Sequence, residues 1–385
     1  MREEKAGLKL KLIYLMIYGT MACYYPFLAV YFKGKGLSYT EIGIGFALNS
    51  IISVAAQPIW GYLTDKYLSK RKTIVITLTA SSIAALGFIF ASQYYMIMTL
   101  IILFIWFQSS VSPVTDAYCY DFMEIDKNLQ YGQVRLMGSV GYAVTSLLLG
   151  IAIQKTSIDM AFYTYLIVSV VVILIIRSIK FEGKHGSNKI DISDIKYLLK
   201  NKNYTIFITS VVFISIALGA NGSYIAVLIE KTGGDISRLG LLWFIVAMSE
   251  LPVFFFGNKL LKKYGDLNLY IISMIIYIFR YLLDSYCSSY IGVIAVQILQ
   301  GITFTLYLTA TMQYINRISE PKLRTSAITL YAAIGGGIGG FIGNFGGGLF
   351  LEHFSVFALF RLMAVAAFLA LITAAFLKKY EKLNK

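Results

Sequence analysis

The sequence predicts an all-α integral membrane protein with twelve transmembrane helices in two six-helix halves. Three observations carry that expectation. The 385 residues are 58% hydrophobic and only 14% charged, whereas a soluble protein of this size is roughly a quarter charged. Apolar stretches of roughly 18 to 25 residues recur along the whole length, each long enough to cross about 30 Å of hydrocarbon as a helix. Finally, the basic residues collect in alternate connections. In lipid the backbone must bond to itself, so only helices or a closed barrel can span. A barrel would show alternating strands of about ten residues, and these runs are too long and too uniformly apolar for that.

Twelve spans fit, over residues 12–32, 41–61, 74–93, 96–121, 134–153, 160–179, 204–228, 239–257, 268–285, 290–314, 325–348 and 356–377. Most of the 34 Lys and Arg fall in segments 1–11, 62–73, 123–136, 177–203, 258–267, 316–324 and 378–385. The intervening connections hold only Lys33, Lys35, Lys155, Lys231 and Arg238. This bias predicts both termini in the cytoplasm of a multi-pass protein of the cell membrane. The net charge of +14 is then topological, and no nucleic-acid partner is expected.

The basic start before the first span resembles a secretory leader. The apolar run is too long for one, however, and "ACYYPF" lacks a small-residue cleavage site, so it reads as a retained helix. Cys23, Cys119 and Cys287 lie in apolar runs without paired spacing and are expected as free, buried thiols. Segment 180–203 is the longest polar interruption. It divides the chain into an N-terminal bundle, 1–179, a cytoplasmic linker, 180–203, and a C-terminal bundle, 204–385. Within it "DISDIKYLLK" has the periodicity of a short amphipathic surface helix. "GYLTDKYLSKRK" after the second span and "GNKLLKKYGD" after the eighth both run from Gly into a basic turn, a weak sign of internal repetition.

Nine of the fourteen residues in "GGGIGGFIGNFGGG", 335–348, are glycine. In a membrane helix small residues serve close backbone approach, and glycine also lets a helix bend. Charges inside spans cost about 2.5 to 3.5 kcal/mol or more and usually face a cavity or a partner. Asp116, Glu250, Arg280 and Arg361 are such charges, with Asp284 nearer an outer end. Asp116 and Arg135 lie at similar depth in spans joined by a short loop, and are expected to pair. Arg280 has two candidate partners, Glu250 on the preceding span and Asp284 four residues along its own helix face. Arg361 is expected to snorkel. Among the intramembrane amides Asn49, Gln57, Gln108, Asn221, Gln297, Gln300 and Gln313, several are expected to face a wet centre, with Asn49, Gln108, Asn221 and Gln300 assigned to solute binding. Tyr24 and Tyr25, beside Pro26, are candidate cavity-lining rings, as are Tyr307 and Tyr314, and Tyr24 is assigned to solute binding.

"G61-Y-L63-T-D65-K66" resembles the loop signature of the major facilitator superfamily. In that family the loop pins neighbouring helix ends, and the resemblance gives Gly61, Asp65 and Arg71 the conformational role, with Asp65 and Arg71 paired across the turn. Leu68 replaces the second glycine of the pattern, and Lys70-Arg71-Lys72 arrives about two residues late. "SPVTDA" followed by "YGQVRLMGSVGY" further resembles the lactose permease branch of oligosaccharide and nucleoside symporters. The resemblance implies that Asp116 stands for the sugar-binding carboxylate, Arg135 for its arginine partner and Tyr142 for the ring that stacks on the sugar. It places Glu250 at a second essential carboxylate and Arg280 at the arginine of proton release. The tenth span departs from the branch, with Gln300 in place of its histidine and Thr303 in place of its proton-carrying glutamate. A coupling proton is thereby left to Glu250 or Asp116, with sodium coupling and uncoupled uniport as alternatives.

These readings converge on a secondary active transporter of the major facilitator fold. The expected activity is proton-coupled import of a sugar, oligosaccharide or nucleoside by a monomer without a cofactor, through alternating access. The alternative is an exporter of drugs or amphiphiles with the same fold, which the absence of proline in "RLMGSVGYAVTSLLLG" disfavours. A non-transporting receptor would not need intramembrane charges in both halves. An enzyme would need a nucleophile–base set or a metal cluster, and the only histidines are His185 and His353. No Gly-rich phosphate loop suggests ATP-driven transport.

Overall fold

A computed structural model describes residues 2–123, 131–179, 181–183, 192–320 and 323–383. Among the described residues there is no strand, and twelve helices are long and apolar enough to cross a membrane. These are Gly7–Gly34, Tyr39–Lys66, Lys70–Phe90, Tyr94–Met123, Tyr131–Lys155, Met160–Arg177, Lys202–Lys231, Ile236–Gly257, Asp266–Tyr286, Tyr290–Ile318, Arg324–His353 and Val356–Leu383, here called the first to twelfth spans. The amphipathic segment of the central connection is helical over Ile192–Lys200. Its Leu198 is buried, and Tyr197 donates a hydrogen bond to Glu320 at 2.9 Å.

Proline chemistry explains where two spans break. The first opens into a turn over residues 25–27, at Pro26, which has no N–H to return to the preceding turn. The fourth breaks at Ser109 and Ser110; the ring of Pro113 would otherwise strike the carbonyl four residues back. In the eleventh span the start of the glycine run lies in a seven-residue π-helix, Ala333–Gly339. Cys23 and Cys119 are buried free thiols as expected, but Cys287 is only partly buried because it caps the end of the ninth span.

The chain divides into two compact units. One comprises residues 1–37, 51–187 and 235–248; the other comprises 38–50, 188–234 and 249–385. The second span is therefore shared at Ser50, and the eighth at Met248. Within the first unit a core of Ile13, Tyr14, Ile17, Leu78, Val114, Tyr118 and Val134 joins the first, third, fourth and fifth spans.

Glycine sets the closest approaches in both units. A Cβ on Gly141 of the fifth span would sit 1.9 Å from the Leu15 carbonyl oxygen of the first. In the other unit a Cβ on Gly343 of the eleventh span would sit 2.0 Å from the Ile216 carbonyl oxygen of the seventh. The two contacts join equivalent spans of the two sequence halves, first to fifth and seventh to eleventh. They are a stronger sign of repetition than the loops offered.

Candidate functional site

Asp116 follows the break in the fourth span. Tyr14 donates to its Oδ1 at 2.7 Å and Tyr131 donates to the same oxygen at 3.1 Å. Tyr14 and Tyr18, four apart on one face of the first span, stack with centroids 6.2 Å apart. Tyr18 in turn carries the guanidinium of Arg135, whose Cζ lies 4.2 Å from the ring centroid, and its hydroxyl meets Ser112 Oγ at 3.1 Å. The expected direct pair between Asp116 and Arg135 is therefore not what forms. The carboxylate takes two phenols and the guanidinium takes a ring. Each hydrogen bond to the charged carboxylate is worth about 1.5–3 kcal/mol, and a desolvated cation–π contact about 2 kcal/mol. Both charges are thus accommodated without touching, although Asp116 remains within coulombic reach of Arg135.

Tyr142, two turns beyond Arg135 on the fifth span, is partly buried. It faces Trp243 at 6.1 Å between centroids. Tyr25 faces the same indole at 5.9 Å. Trp243 was absent from the sequence reading; its only signal was a place two turns before Glu250 on one helix. Its Nε1–H is buried without an acceptor among the described residues, at a cost of about 1–3 kcal/mol. Gln108 and Tyr24, two of the expected solute-site residues, are buried at 3% and 8% exposure. Tyr165 of the sixth span donates to Gln108 Oε1 at 2.6 Å and meets Ser81 Oγ of the third at 2.8 Å. The Tyr24 ring packs on Phe104 at 4.9 Å. These groups tie four spans together.

In the second unit Arg280 and Asp284 are both 0% exposed. Gln297 of the tenth span stands between them: its Nε2 donates to Asp284 at 3.1 and 3.0 Å, and its Oε1 accepts from Arg280 at 3.2 Å. Asn221 accepts from Arg280 at 3.5 Å, and the guanidinium lies over Tyr281 at 4.3 Å and Tyr277 at 5.3 Å. Of the two expected candidates for Arg280, it is Asp284 that shares this cluster, with Gln297 entering from the next span as the bridge; Arg280 Nε has no hydrogen-bond partner among the described residues. Glu250 is half-buried, with a partner of its own. Thr303 donates within its own helix, to the carbonyls of Leu299 and Gln300 at 2.7 and 3.1 Å. Gln300 is buried at 7% exposure with its Oε1 lacking a donor among the described residues. Arg361 is exposed and covers the Tyr286 ring at 5.0 Å.

Asn49 is half-buried and engaged on the second span. A neighbouring network that sequence reasoning missed is centred on Asn344, within the glycine run. It donates to Ser50 Oγ at 3.1 Å and the Phe46 carbonyl at 3.3 Å, and accepts from Ser223 at 2.7 Å. An amide amid nine glycines was the available signal.

The loop after the second span is pinned, but by other partners than expected. Arg71 forms its ion pair with Glu182 and donates to the Ile179 carbonyl at 2.6 Å, rather than pairing with Asp65. Asp65 is engaged elsewhere. Lys70 pairs with Asp121 of the fourth span at 2.5 Å, and Ser69 caps the third span through Lys72 N at 3.2 Å. The shifted basic run explains the change: Arg71 lies in the first turn of the third helix, beside the segment that follows the sixth. A Cβ on Gly61 would meet nothing within 4 Å, so no close approach requires glycine there.

The model of the MFS_1 like family matches residues 8–362. The chain belongs to that family of major facilitator transporters. This membrane transporter is 28% identical to the uncharacterized transporter YwbF of Bacillus subtilis, over 97% of this chain and 94% of that protein. It is 24% identical to the maltose permease of Geobacillus stearothermophilus, over 96% of this chain and 94% of the permease. The crystal structure of the nucleoside transporter NupG superposes with a TM-score of 0.86 at 16% identity, covering 97% of this chain and 99% of NupG. That last likeness is one of fold.

Proposed function

We propose that this transporter imports a small polar solute, a sugar, oligosaccharide or nucleoside, by proton-coupled alternating access. The observation that carries the reading is the one-sided hold on Asp116. Both phenols donate to Oδ1, so among the described residues Oδ2 is left to accept from a solute hydroxyl, with Arg135 parked on Tyr18 nearby. The names of two similar proteins, a maltose permease and a nucleoside transporter, support the solute class.

The coupling ion is assigned as a proton on Glu250. A half-buried carboxylate can exchange a proton with water as access alternates, whereas Asp284 is sealed against Gln297. The tenth span supplies no carboxylate, only Thr303 and Gln300. The chain works as a monomer in the cell membrane with both termini cytoplasmic, its halves 1–179 and 204–385 joined by the linker 180–203.

Counterflow of radiolabelled maltose and uridine into proteoliposomes containing the full chain tests the reading. Wild type exchanges at least one of them, and an inward proton gradient drives its accumulation. Asp116→Asn abolishes exchange. Undiminished exchange by Asp116→Asn would remove the central assignment, and accumulation that follows sodium alone would replace the ion.

A further inference from the structure

Trp243 lies in the part of the eighth span, 235–248, that packs within the first compact unit. Its indole stands edge-on to two phenol rings, Tyr25 and Tyr142, each with planes 74° apart. A buried indole N–H normally finds an acceptor. Trp60 does so, donating to the Trp106 carbonyl at 3.0 Å; Trp243 Nε1 does not. The position of Trp243 is nonetheless fixed. Three residues before it, a Cβ on Gly240 would sit 2.4 Å from the Ser146 carbonyl oxygen of the fifth span, so the two backbones meet directly. A donor that is rigidly held, buried and unanswered among the described residues is a donor available to a ligand.

Its level relative to Asp116 follows from helix geometry. Tyr25 is seven residues beyond Tyr18, and Tyr142 seven beyond Arg135. Both aromatic residues therefore lie about 10 Å further along the faces that carry the charged cluster. One end of that strip offers Asp116 Oδ2 and the Arg135 guanidinium; the other offers three rings and an N–H.

We infer that Trp243 is a solute-binding residue: its N–H takes an oxygen of a ring-bearing polyol, a glycoside or a nucleoside, whose far end reaches Asp116. This rests on the proposed reading of Asp116 as the solute's carboxylate partner. The rings of Tyr25, Tyr142 and Trp243 cover the apolar face of the bound ring, and the indole nitrogen supplies the polar contact that a purely aromatic wall would lack. An aromatic carboxylate such as benzoate has no polyol face to offer and does not bind in this mode.

The test uses the purified full chain with maltose, uridine and benzoate as probes. Maltose or uridine changes the tryptophan emission saturably in wild type, and the change is absent in Trp243→Phe. That variant keeps a ring and loses only the N–H. It weakens affinity for the effective probe roughly ten-fold, equivalent to about 1.4 kcal/mol. The melting temperature of solute-free protein is unchanged, since no protein hydrogen bond is lost. Trp243→Ala weakens affinity further. Unchanged affinity in Trp243→Phe, with affinity lost in Asp116→Asn, overturns the Trp243 assignment alone. Unchanged affinity in both variants overturns the reading of the site as well. Binding of benzoate but neither polyol overturns the solute class, as does a wild type that exchanges none of the three. A lowered melting temperature of solute-free Trp243→Phe would make the indole structural.

Discussion

Gln297 donates its side-chain amide to both oxygens of Asp284, at 3.1 and 3.0 Å, inside the protein. It is the carboxylate's only hydrogen-bond donor among the described residues, and its carbonyl simultaneously faces Arg280. Gln297→Leu therefore strips a fully buried carboxylate of its donor, a loss of about 2–3 kcal/mol. The expected outcome is a clearly lower apparent melting temperature in detergent. A variant that melts with wild type would show that Asp284 does not depend on the amide.

Around Asp116 the two phenols differ in reach, 2.7 Å for Tyr14 and 3.1 Å for Tyr131. Tyr14→Phe is expected to weaken solute affinity about ten-fold, the equivalent of one hydrogen bond near 1.4 kcal/mol. Tyr131→Phe should weaken it less. Competition counterflow ranks the two, and the reverse order would contradict the geometry.

Lys70 and Asp121 pair at 2.5 Å with side chains only 9% and 12% exposed. Lys70→Gln breaks this nearly buried pair, for which about 3–5 kcal/mol is the usual cost. The double variant with Asp121→Asn should regain most of that loss in a thermal-unfolding cycle. Additive losses would mean that the pair is not coupled.

Gly343 and Gly336 stand in the same glycine run with opposite surroundings. Gly343→Ala forces a methyl onto the Ile216 carbonyl oxygen, 2.0 Å from where the Cβ must sit, while Gly336→Ala enters open space. Folded yield and melting temperature should fall sharply for the first and hold for the second.

Glu250→Gln is expected to preserve counterflow and to abolish accumulation driven by a proton gradient. Normal accumulation by that variant moves the coupling proton to another carboxylate.

The spans themselves were plainly legible, because a hydrocarbon solvent leaves a run of some twenty apolar residues little alternative to a helix. Asp116 was legible for the same reason, as a charge where charge is costly. Its partner was not. Spacing gives Arg135 its depth but not its rotation about the fifth helix, which lays its guanidinium over the Tyr18 ring. Tyr14 and Tyr18 were hidden among 29 tyrosines, most of which could equally be packing. Asp284 looked peripheral because it lies near the end of its span. Only the neighbouring helix, bringing Gln297 alongside, reveals that it is sealed. Helix rotation and cross-span contact are tertiary quantities, and a linear pattern of hydropathy carries neither.

Residues 38–50 and 235–248 each group with the compact unit built mainly from the other half of the sequence. In biosynthetic terms, the first unit stays unfinished when the sixth span leaves the ribosome and is completed only once residue 248 has been made. A chain severed between the sixth and seventh spans would thus give two fragments, each missing a strip of helix that the other holds, rather than two autonomous domains.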